Sequence, residues 1–488
     1  MKRSENMSVR PTAATLLLSE NCNLKCEYCF EQHKPFAMTK EVARKSIDFL
    51  SDGAIINKTG NFSITLFGGE PMLEPDIMEE LFRYGYEVAL KKKLNFSASI
   101  ITNATLLDEK RYNIIKEWKD KVNLEIQLSV DGKAETQNTY RITKDGKPSF
   151  HLVEKNVPRF KELFKDAPRR LSVHGVISKK TLDKLYENYL FFHQEWGMQR
   201  IWFIPVIEEE WTEDDVKIYD EQMSKITDYI LSIVKRDNSI EEIYNYAPLD
   251  RCLRQSRGFP SAPCGAGKNF VTITAKGYIY PCHQIYFNDK NNETYIGSIF
   301  TGIYEPNRKL FLDYDSSDLT CPKDCDHYYC YRCIAVNWIK TGSILIQPEG
   351  LYCKMQKVDQ KYQKKIEKEL IKMGLLNQNK NNYQYDYRPG NNPDNPDCLC
   401  DCRGGDCDVV TYGPECGANF PSNGNNQGKA CSCKPSSSEG STQVADELAH
   451  VLQNLILLQK ITESAVQEVQ AKVTTLERKI DLIINNIE

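Results

Sequence analysis

The sequence predicts an α/β fold, a partial, TIM-like (β/α)6 barrel followed by a small cysteine-rich α+β domain. Three observations carry this. Residues 12–236 alternate strand-like and helix-like segments six times. Residues 245–355 lose that rhythm and hold eight cysteines among Gly, Pro and aromatic residues. From about 376 to 442 large apolar side chains become scarce, before a final heptad pattern.

The strand candidates are 13–18, 62–67, 98–102, 124–130, 170–177 and 200–206, short apolar runs bounded by turn residues. Between them lie amphipathic stretches at 39–51, 75–92, 108–119, 152–164 and 181–196, and another follows at 212–236. Six βα units in series call for a parallel sheet, and six rather than eight leaves one side open. Chemistry in such folds gathers at the C-terminal strand ends. The stretch "CNLKCEYCF", residues 22–30, follows the first strand and falls there.

The domains are therefore read as 1–240 (barrel), 241–375 (cysteine-rich domain), 376–442 (cysteine-rich flexible segment) and 443–488 (heptad helix). A Lys-rich helical stretch, 354–374, closes the body. Residues 376–442 are rich in Asn, Asp, Gly, Pro and Ser and cannot bury enough surface to fold alone, yet hold seven cysteines. In the last segment Val466, Val469, Val473, Leu476, Ile480, Ile483 and Ile487 alternate spacings of three and four, a coiled-coil seam suited to oligomerisation or docking.

Net charge is −4, with Lys and Arg dispersed along the chain, so no nucleic-acid or anionic-membrane footprint is present. The apolar run Leu16–Leu18 is too short for a signal peptide, and no apolar stretch is long enough to span a bilayer. A cytoplasmic location is expected. Eighteen cysteines in a reducing compartment point to metal or redox use rather than disulfides.

Cys22, Cys26 and Cys29 form C-x3-C-x2-C with no fourth cysteine before Cys252. A zinc site would normally show a second pair about a dozen residues away. A [4Fe–4S] cluster held by three thiolates fits better and leaves one iron free for a substrate or cofactor. With Tyr28 as its aromatic position, the triplet resembles the signature of the radical S-adenosylmethionine (SAM) superfamily. The resemblance runs along the barrel. "FGGEP" (Phe67–Pro71) follows the second strand, "TNATLL" (Thr102–Leu107) the third and "SVDG" (Ser129–Gly132) the fourth. It implies that Cys22, Cys26 and Cys29 hold a [4Fe–4S] cluster whose free iron is chelated by SAM. Tyr28, Gly68, Gly69, Glu70, Pro71, Asn103, Ser129 and Asp131 would then be cofactor contacts. One-electron cleavage of SAM would generate a 5′-deoxyadenosyl radical.

Cys264-x12-Gly277-x4-Cys282 resembles the first half of the SPASM extension of radical SAM enzymes that act on peptides and proteins. The second half, Cys321-x3-Cys325-x4-Cys330-x2-Cys333 with Cys353 beyond, departs from that extension's usual 2-5-3 spacing. The resemblance implies two auxiliary [4Fe–4S] clusters, three in all. One would use Cys264, Cys282 and Cys333, with Cys252 or an open iron; the other Cys321, Cys325, Cys330 and Cys353. Zinc ribbons are the alternative on spacing alone.

"YPCHQ" places His283 after Cys282, where sulfatase-maturase-like proteins carry Asp, and resembles maturases that form thioethers in cysteine-rich ribosomal peptides (ranthipeptides, sactipeptides). The reaction expected is thus Cys thioether formation, with His283 as a candidate base. The rivals are a sulfatase-maturase-like protein oxidase, a C–C crosslinking maturase and a non-catalytic iron–sulfur electron-transfer scaffold. The expected partners are a cysteine-rich peptide and a reductant such as flavodoxin or ferredoxin. Because the barrel begins by residue 13, peptide recognition is expected from a separate protein, the SPASM region or the tail. The cysteines of 398–433 are read as an in-cis substrate or mimic, a further metal site, or a linker.

Overall fold

The computed structural model describes residues 9–246, 249, 264–314, 333–348 and 351–376. Cys252, Cys321, Cys325 and Cys330 lie outside the described residues, as do the tail beyond Leu376 and its heptad helix. The six expected strands are β1 (Ala13–Ser19), β2 (Asn61–Gly68), β3 (Asn95–Thr102), β4 (Glu125–Ser129), β5 (Leu171–Ile177) and β6 (Ile201–Pro205). They pair in parallel and in chain order. The barrel is partial, as six units predict. The free edge of β1 takes a seventh parallel strand, β7 (Phe270–Ile273), and the sheet continues through antiparallel β8 (Tyr278–Tyr280), β9 (Gly297–Ser298) and β10 (Gly302–Ile303). Strand β1 thus serves the barrel and the cysteine-rich region at once.

Seven helices accompany the barrel strands: α1 (Lys40–Ile56), α2 (Pro75–Lys92), α3 (Glu109–Trp118), α4 (Ala134–Tyr140), α5 (Phe150–Leu163), α6 (Leu185–Leu190) and α7 (Glu213–Asp237). Three of them start on capping side chains. Thr39 accepts from Val42 N, Asp108 from Arg111 N, and Thr212 and Asp215 form a reciprocal capping box on α7. The stretch 181–196, expected as one helix, is broken into a 3₁₀ turn, α6 and a π turn at Phe191–Glu195. The wider last turn buries adjacent Phe191 and Phe192 together against Trp196, with ring centroids 4.7 and 5.4 Å from the indole. Helix α4 escapes the periodicity reading because its buried residues, Thr136, Gln137 and Tyr140, are polar or amphipathic.

Strands β2 to β6 alternate strictly, whereas β1, flanked by β2 and β7, is buried along nearly its whole length. Ile64, Leu66, Ile100, Ile126, Leu128, Val173, Ile201 and Phe203 are buried in the apolar core. Between them Ser63, Thr65, Ser97, Ser99, Gln127, Ser129, Ser172 and His174 stay half-buried on the other face. A parallel strand covered on both faces reads as a continuous apolar run. Here the second face is polar, which suits the wall of an open lumen. Ser99 Oγ donates to Thr65 Oγ1 (2.9 Å) and Gln127 Nε2 meets His174 Nδ1 (2.8 Å) across neighbouring strands on that face.

The Lys-rich helix Leu351–Lys372 packs along α7 through Met355, Val358, Tyr362, Ile366 and Leu370, all buried and three or four residues apart. Exposed pairs, Lys361–Asp220 (2.8 Å) and Lys365–Asp228 (2.5 Å), flank the seam. Burial outweighs such pairs, so Ile366→Ala should cost about 2–5 kcal/mol in urea unfolding while Lys361→Ala changes stability by about 0.5 kcal/mol or less. Equal effects would contradict this assignment of the docking energy.

Candidate active site

The cysteine loop leaves β1 at Ser19 and is pinned at both ends. Glu20 N donates to Phe36 O (2.8 Å) and Met38 N to Leu18 O (2.8 Å). From the other side Lys25 N reaches Ile142 O (2.8 Å) and Glu27 N reaches Tyr140 O (3.0 Å). The end of β2 lies directly against the loop's first residues. Gly69 N donates to Ser19 O (2.8 Å) and Glu70 N to Asn21 O (3.0 Å). That approach needs both glycines. A β-carbon on Gly68, whose φ is +116°, would stand 2.1 Å from Ser19 O, and one on Gly69 would stand 2.3 Å from Asn21 O.

Glu70 turns its fully buried side chain toward its neighbours. It accepts from Met72 N (2.9 Å), Thr102 Oγ1 (2.7 Å) and Asn103 N (2.7 Å), tying β2 to β3. Burial pushes its carboxyl up to about 7 against the pull of those three donors. Asn103 is drawn into the loop. Its Nδ2 donates to Asn23 Oδ1 (2.9 Å) and points at Cys22 Sγ (3.8 Å), while its Oδ1 accepts from Thr105 N (3.0 Å).

The three thiols are free and share one field. Burial, with Glu70 and the other two thiols behind it, pushes Cys22 up to about 12. Burial does the same to Cys29 and raises Cys26, whose shift the Arg141 guanidinium opposes. Leu24 N approaches Cys22 Sγ (3.4 Å) and His33 Nε2 approaches Cys29 Sγ (3.5 Å). Among the described residues no three of His, Cys, Asp and Glu stand close enough to grip one metal ion. Thiolates on a four-iron cluster each bind a different iron and stand further apart than the ligands of one ion. Three thiols within electrostatic reach of one another, one of them accepting from Leu24 N, are the donor chemistry such a cluster takes.

Beside them sits Arg141, which the sequence did not announce, held by Tyr28 and Asp131, which it did. Tyr28 OH donates to Asp131 Oδ2 (2.5 Å), and Val176 N donates to Asp131 Oδ1 (2.9 Å). Buried Arg141 pairs with Asp131 Oδ1 (3.0 Å) and lies over the Tyr28 ring, 5.4 Å from its centroid. Asp131 is thus engaged by protein groups, while Ser129 keeps its place at the end of β4. Burial disfavours the Arg141 charge, but Asp131, Tyr28 and Cys26 together outweigh it and raise its pKa. Next along the polar face, burial and then the Arg141 charge lower His174 to about 3. Its Nε2 is buried with no hydrogen-bond partner among the described residues, and Trp202 packs at 5.6 Å.

The second cysteine set reaches this region. Cys282 lies within electrostatic range of both Cys333 and Cys264, and burial pushes it up to about 12. Cys353 lies in the first turn of the helix Leu351–Lys372. His283 opens the helix His283–Asn288, with its ring 4.7 Å from Phe67 at the end of β2 and 6.3 Å from Phe30 beside Cys29. Burial lowers it to about 4, so it is neutral at pH 7. Tyr286 of the same helix donates to buried Glu20 (3.0 Å). Arg141, Glu20 and His174 carried no contiguous motif. The period-two polar positions of the strands are the signal that could have marked Gln127, His174 and Trp202.

Residues 16–191 match the radical SAM superfamily model, so the chain carries a radical SAM domain. It is 25% identical over 353 residues to a cysteine-type anaerobic sulfatase-maturating enzyme of Clostridium novyi, covering 67% of this chain and 86% of that one. It is 24% identical over 302 residues to the radical SAM cyclopropyl synthase TigE of Paramaledivibacter caminithermalis, and 24% over 306 residues to the subtilosin biosynthesis protein AlbA of Bacillus subtilis. The alignments span 59% of each of these two relatives. Among solved structures, anSMEcpe with bound AdoMet superposes with a TM-score of 0.59 at 21% identity, over 75% of this chain and all of that one. This supports the fold of a partial radical SAM barrel. Among the described residues no helix is long and apolar enough to cross a membrane.

Gly69→Ala should displace the cysteine loop and lower the iron retained on reconstitution, whereas unchanged iron content would contradict the close-approach argument. His174 is neutral when folded and protonates near 6.5 when unfolded, so its contribution to stability is lost as pH falls below that value. Between pH 7 and pH 5 wild type should therefore lose about 2 kcal/mol that His174→Gln does not. Parallel pH–stability curves would refute a buried neutral imidazole.

Proposed function

We propose that this radical SAM protein modifies a cysteine-containing peptide and forms thioether bonds in it, using three [4Fe–4S] clusters. The observation that carries the reading is the packing of the Cys282 helix directly on the SAM-site loop, through His283 on Phe67 and Tyr286 on Glu20. A second set of thiols beside the barrel mouth suits a reaction that must hold a substrate sulfur near a carbon from which hydrogen is removed. Relatives acting on sulfatases and on subtilosin support a protein or peptide substrate.

When bound, SAM and its cluster supply a 5′-deoxyadenosyl radical able to take a hydrogen atom from the peptide. Cys22, Cys26 and Cys29 would hold that cluster. The backbone of Gly68–Glu70 and the guanidinium of Arg141 are the groups offered to the amino and carboxylate ends of SAM. Asp131 and Tyr28 hold Arg141 in place, and Ser129 faces the polar side of the sheet. Cys264, Cys282 and Cys333 would bind an auxiliary cluster, with Cys252 as a further ligand; Cys321, Cys325, Cys330 and Cys353 would bind the other. His283 is the base candidate by its place against Phe67; the burial that keeps it neutral at pH 7 and lowers it to about 4 makes it a weak proton acceptor. A one-electron donor of the flavodoxin or ferredoxin kind would supply the electron for SAM cleavage, and the electron released when the carbon radical and the thiolate join would pass to an auxiliary cluster.

Anaerobically reconstituted protein should hold about twelve irons per chain. Zinc in 252–353 would refute the auxiliary clusters. Replacing Cys22, Cys26 and Cys29 by Ala should abolish 5′-deoxyadenosine formation; persistence would overturn the mechanism. Mass spectrometry after turnover, with thiols alkylated, should show loss of two hydrogen masses per thioether, in a separate peptide or within 398–433. Conversion of a cysteine to an aldehyde with loss of its sulfur would favour the protein-oxidase reading, which the alignment with the sulfatase-maturating enzyme supports.

A further inference from the structure

A groove of about 690 Å³ runs between the cysteine loop and the β7–β8 hairpin. Its wall is a chain of aromatic rings. Tyr278 and Tyr295 lie 6.0 Å apart, Tyr295 and Tyr280 5.8 Å, Tyr280 and Tyr286 4.8 Å, and Tyr286 and Phe287 4.8 Å. The chain ends 5.6 Å from Phe30, the residue after Cys29. Tyr280 OH donates to Asn292 Oδ1 (2.8 Å) and Tyr286 OH to Glu20 (3.0 Å), which satisfies their polar tips; Tyr280 is buried behind the wall, and Tyr278, Tyr286 and Tyr295 keep exposed surface for packing.

The charges are one-sided. Every exposed charged side chain lining the groove is a lysine: Lys34, Lys276 and Lys290. The acidic lining residues, Glu20 and Asp289, are buried, and Asp289 accepts from Glu293 N, Thr294 N and Thr294 Oγ1. None of the three lysines has an acidic partner among the described residues. Lys276 rests its ammonium 3.7 Å from the centroid of Phe36. On a chain of net charge −4, three unpaired cations along an aromatic trough form a local exception.

We propose that this groove binds an acidic segment of the peptide substrate, its carboxylates on Lys34, Lys276 and Lys290 and its apolar side chains on the tyrosines. The inference rests on the peptide-maturase reading and adds where and by what chemistry the peptide is gripped. A concave trough takes an extended chain, and rigid amphipathic tyrosines give contact area at low entropic cost. Its inner end at Phe30 delivers the bound peptide toward the cysteine loop.

The test uses the full chain and two fluorescein-labelled peptides, one of alternating glutamate and leucine and its glutamine counterpart, read by fluorescence anisotropy. The glutamate peptide should bind about tenfold or more tightly than the glutamine one, with an affinity that falls as salt rises. The combined Lys34→Glu, Lys276→Glu and Lys290→Glu variant should lose that binding, and Tyr278→Ala should weaken it. Peptide-independent SAM cleavage by the charge-reversed variant should equal wild type. Equal binding of both peptides, or wild-type affinity in the charge-reversed variant, overturns the proposal. So does a variant whose only defect is slower cluster reduction by flavodoxin, which would assign the lysines to an acidic electron carrier. If wild type binds the glutamate peptide but cleaves no SAM, the groove stands and the enzymatic reading falls.

Discussion

Two missing β-carbons set the geometry on which the site depends. At Gly68 and Gly69 the end of β2 comes within hydrogen-bonding distance of Ser19 and Asn21, the residues that lead into Cys22. No side chain larger than hydrogen leaves room between those backbones. Once the approach is made, Glu70 is carried into the core, where it collects donors from β3 and orients Asn103 toward the loop. A buried carboxylate would be costly alone; three hydrogen bonds at 2.7–2.9 Å offset part of its desolvation, and burial still raises the carboxyl to about 7. The cysteine loop is thereby held by glycine backbone, a buried acid and an amide rather than by its own short sequence.

Strand β1 connects that site to the second cysteine set. It pairs with β2 on one edge and β7 on the other, and its C-terminal end starts the cysteine loop. The hairpin that follows β7 places Cys282, His283 and Tyr286 against Phe67 and Glu20. The same burial that suits a water-excluded reaction keeps His174 and His283 neutral and the thiols protonated in the metal-free chain. Cluster assembly must therefore release protons, and what ionises the thiols is metal binding itself.

The barrel was legible because each strand is a short contiguous run with its turn residues beside it, and the site's glycines and cysteines are contiguous as well. Legibility ended where contacts are assembled across strands. Arg141 meets Asp131, Tyr28 and Cys26 only through the folding of α4 and the loop beyond it, and nothing local marks it. His174 meets Gln127 through the register of β4 on β5, which pairs Gln127 with Ser172 and Ser129 with His174. The strand alternation did hold information: serine, threonine, glutamine and histidine at every second position of parallel strands mean a sheet with one polar face. The broken helix at 181–196 shows the opposite failure, in which an apolar period is present but two adjacent aromatics need a wider turn to be buried together.

The central claim is that the position left open by three cysteines is reserved for SAM. Electron paramagnetic resonance of the reduced, reconstituted chain tests it most directly, with SAM carrying an isotopic label at the amino nitrogen. The account predicts a changed cluster signal on adding SAM and a hyperfine coupling to the labelled nitrogen. An unchanged signal with no coupling, from a protein whose four-iron cluster is intact, would contradict it.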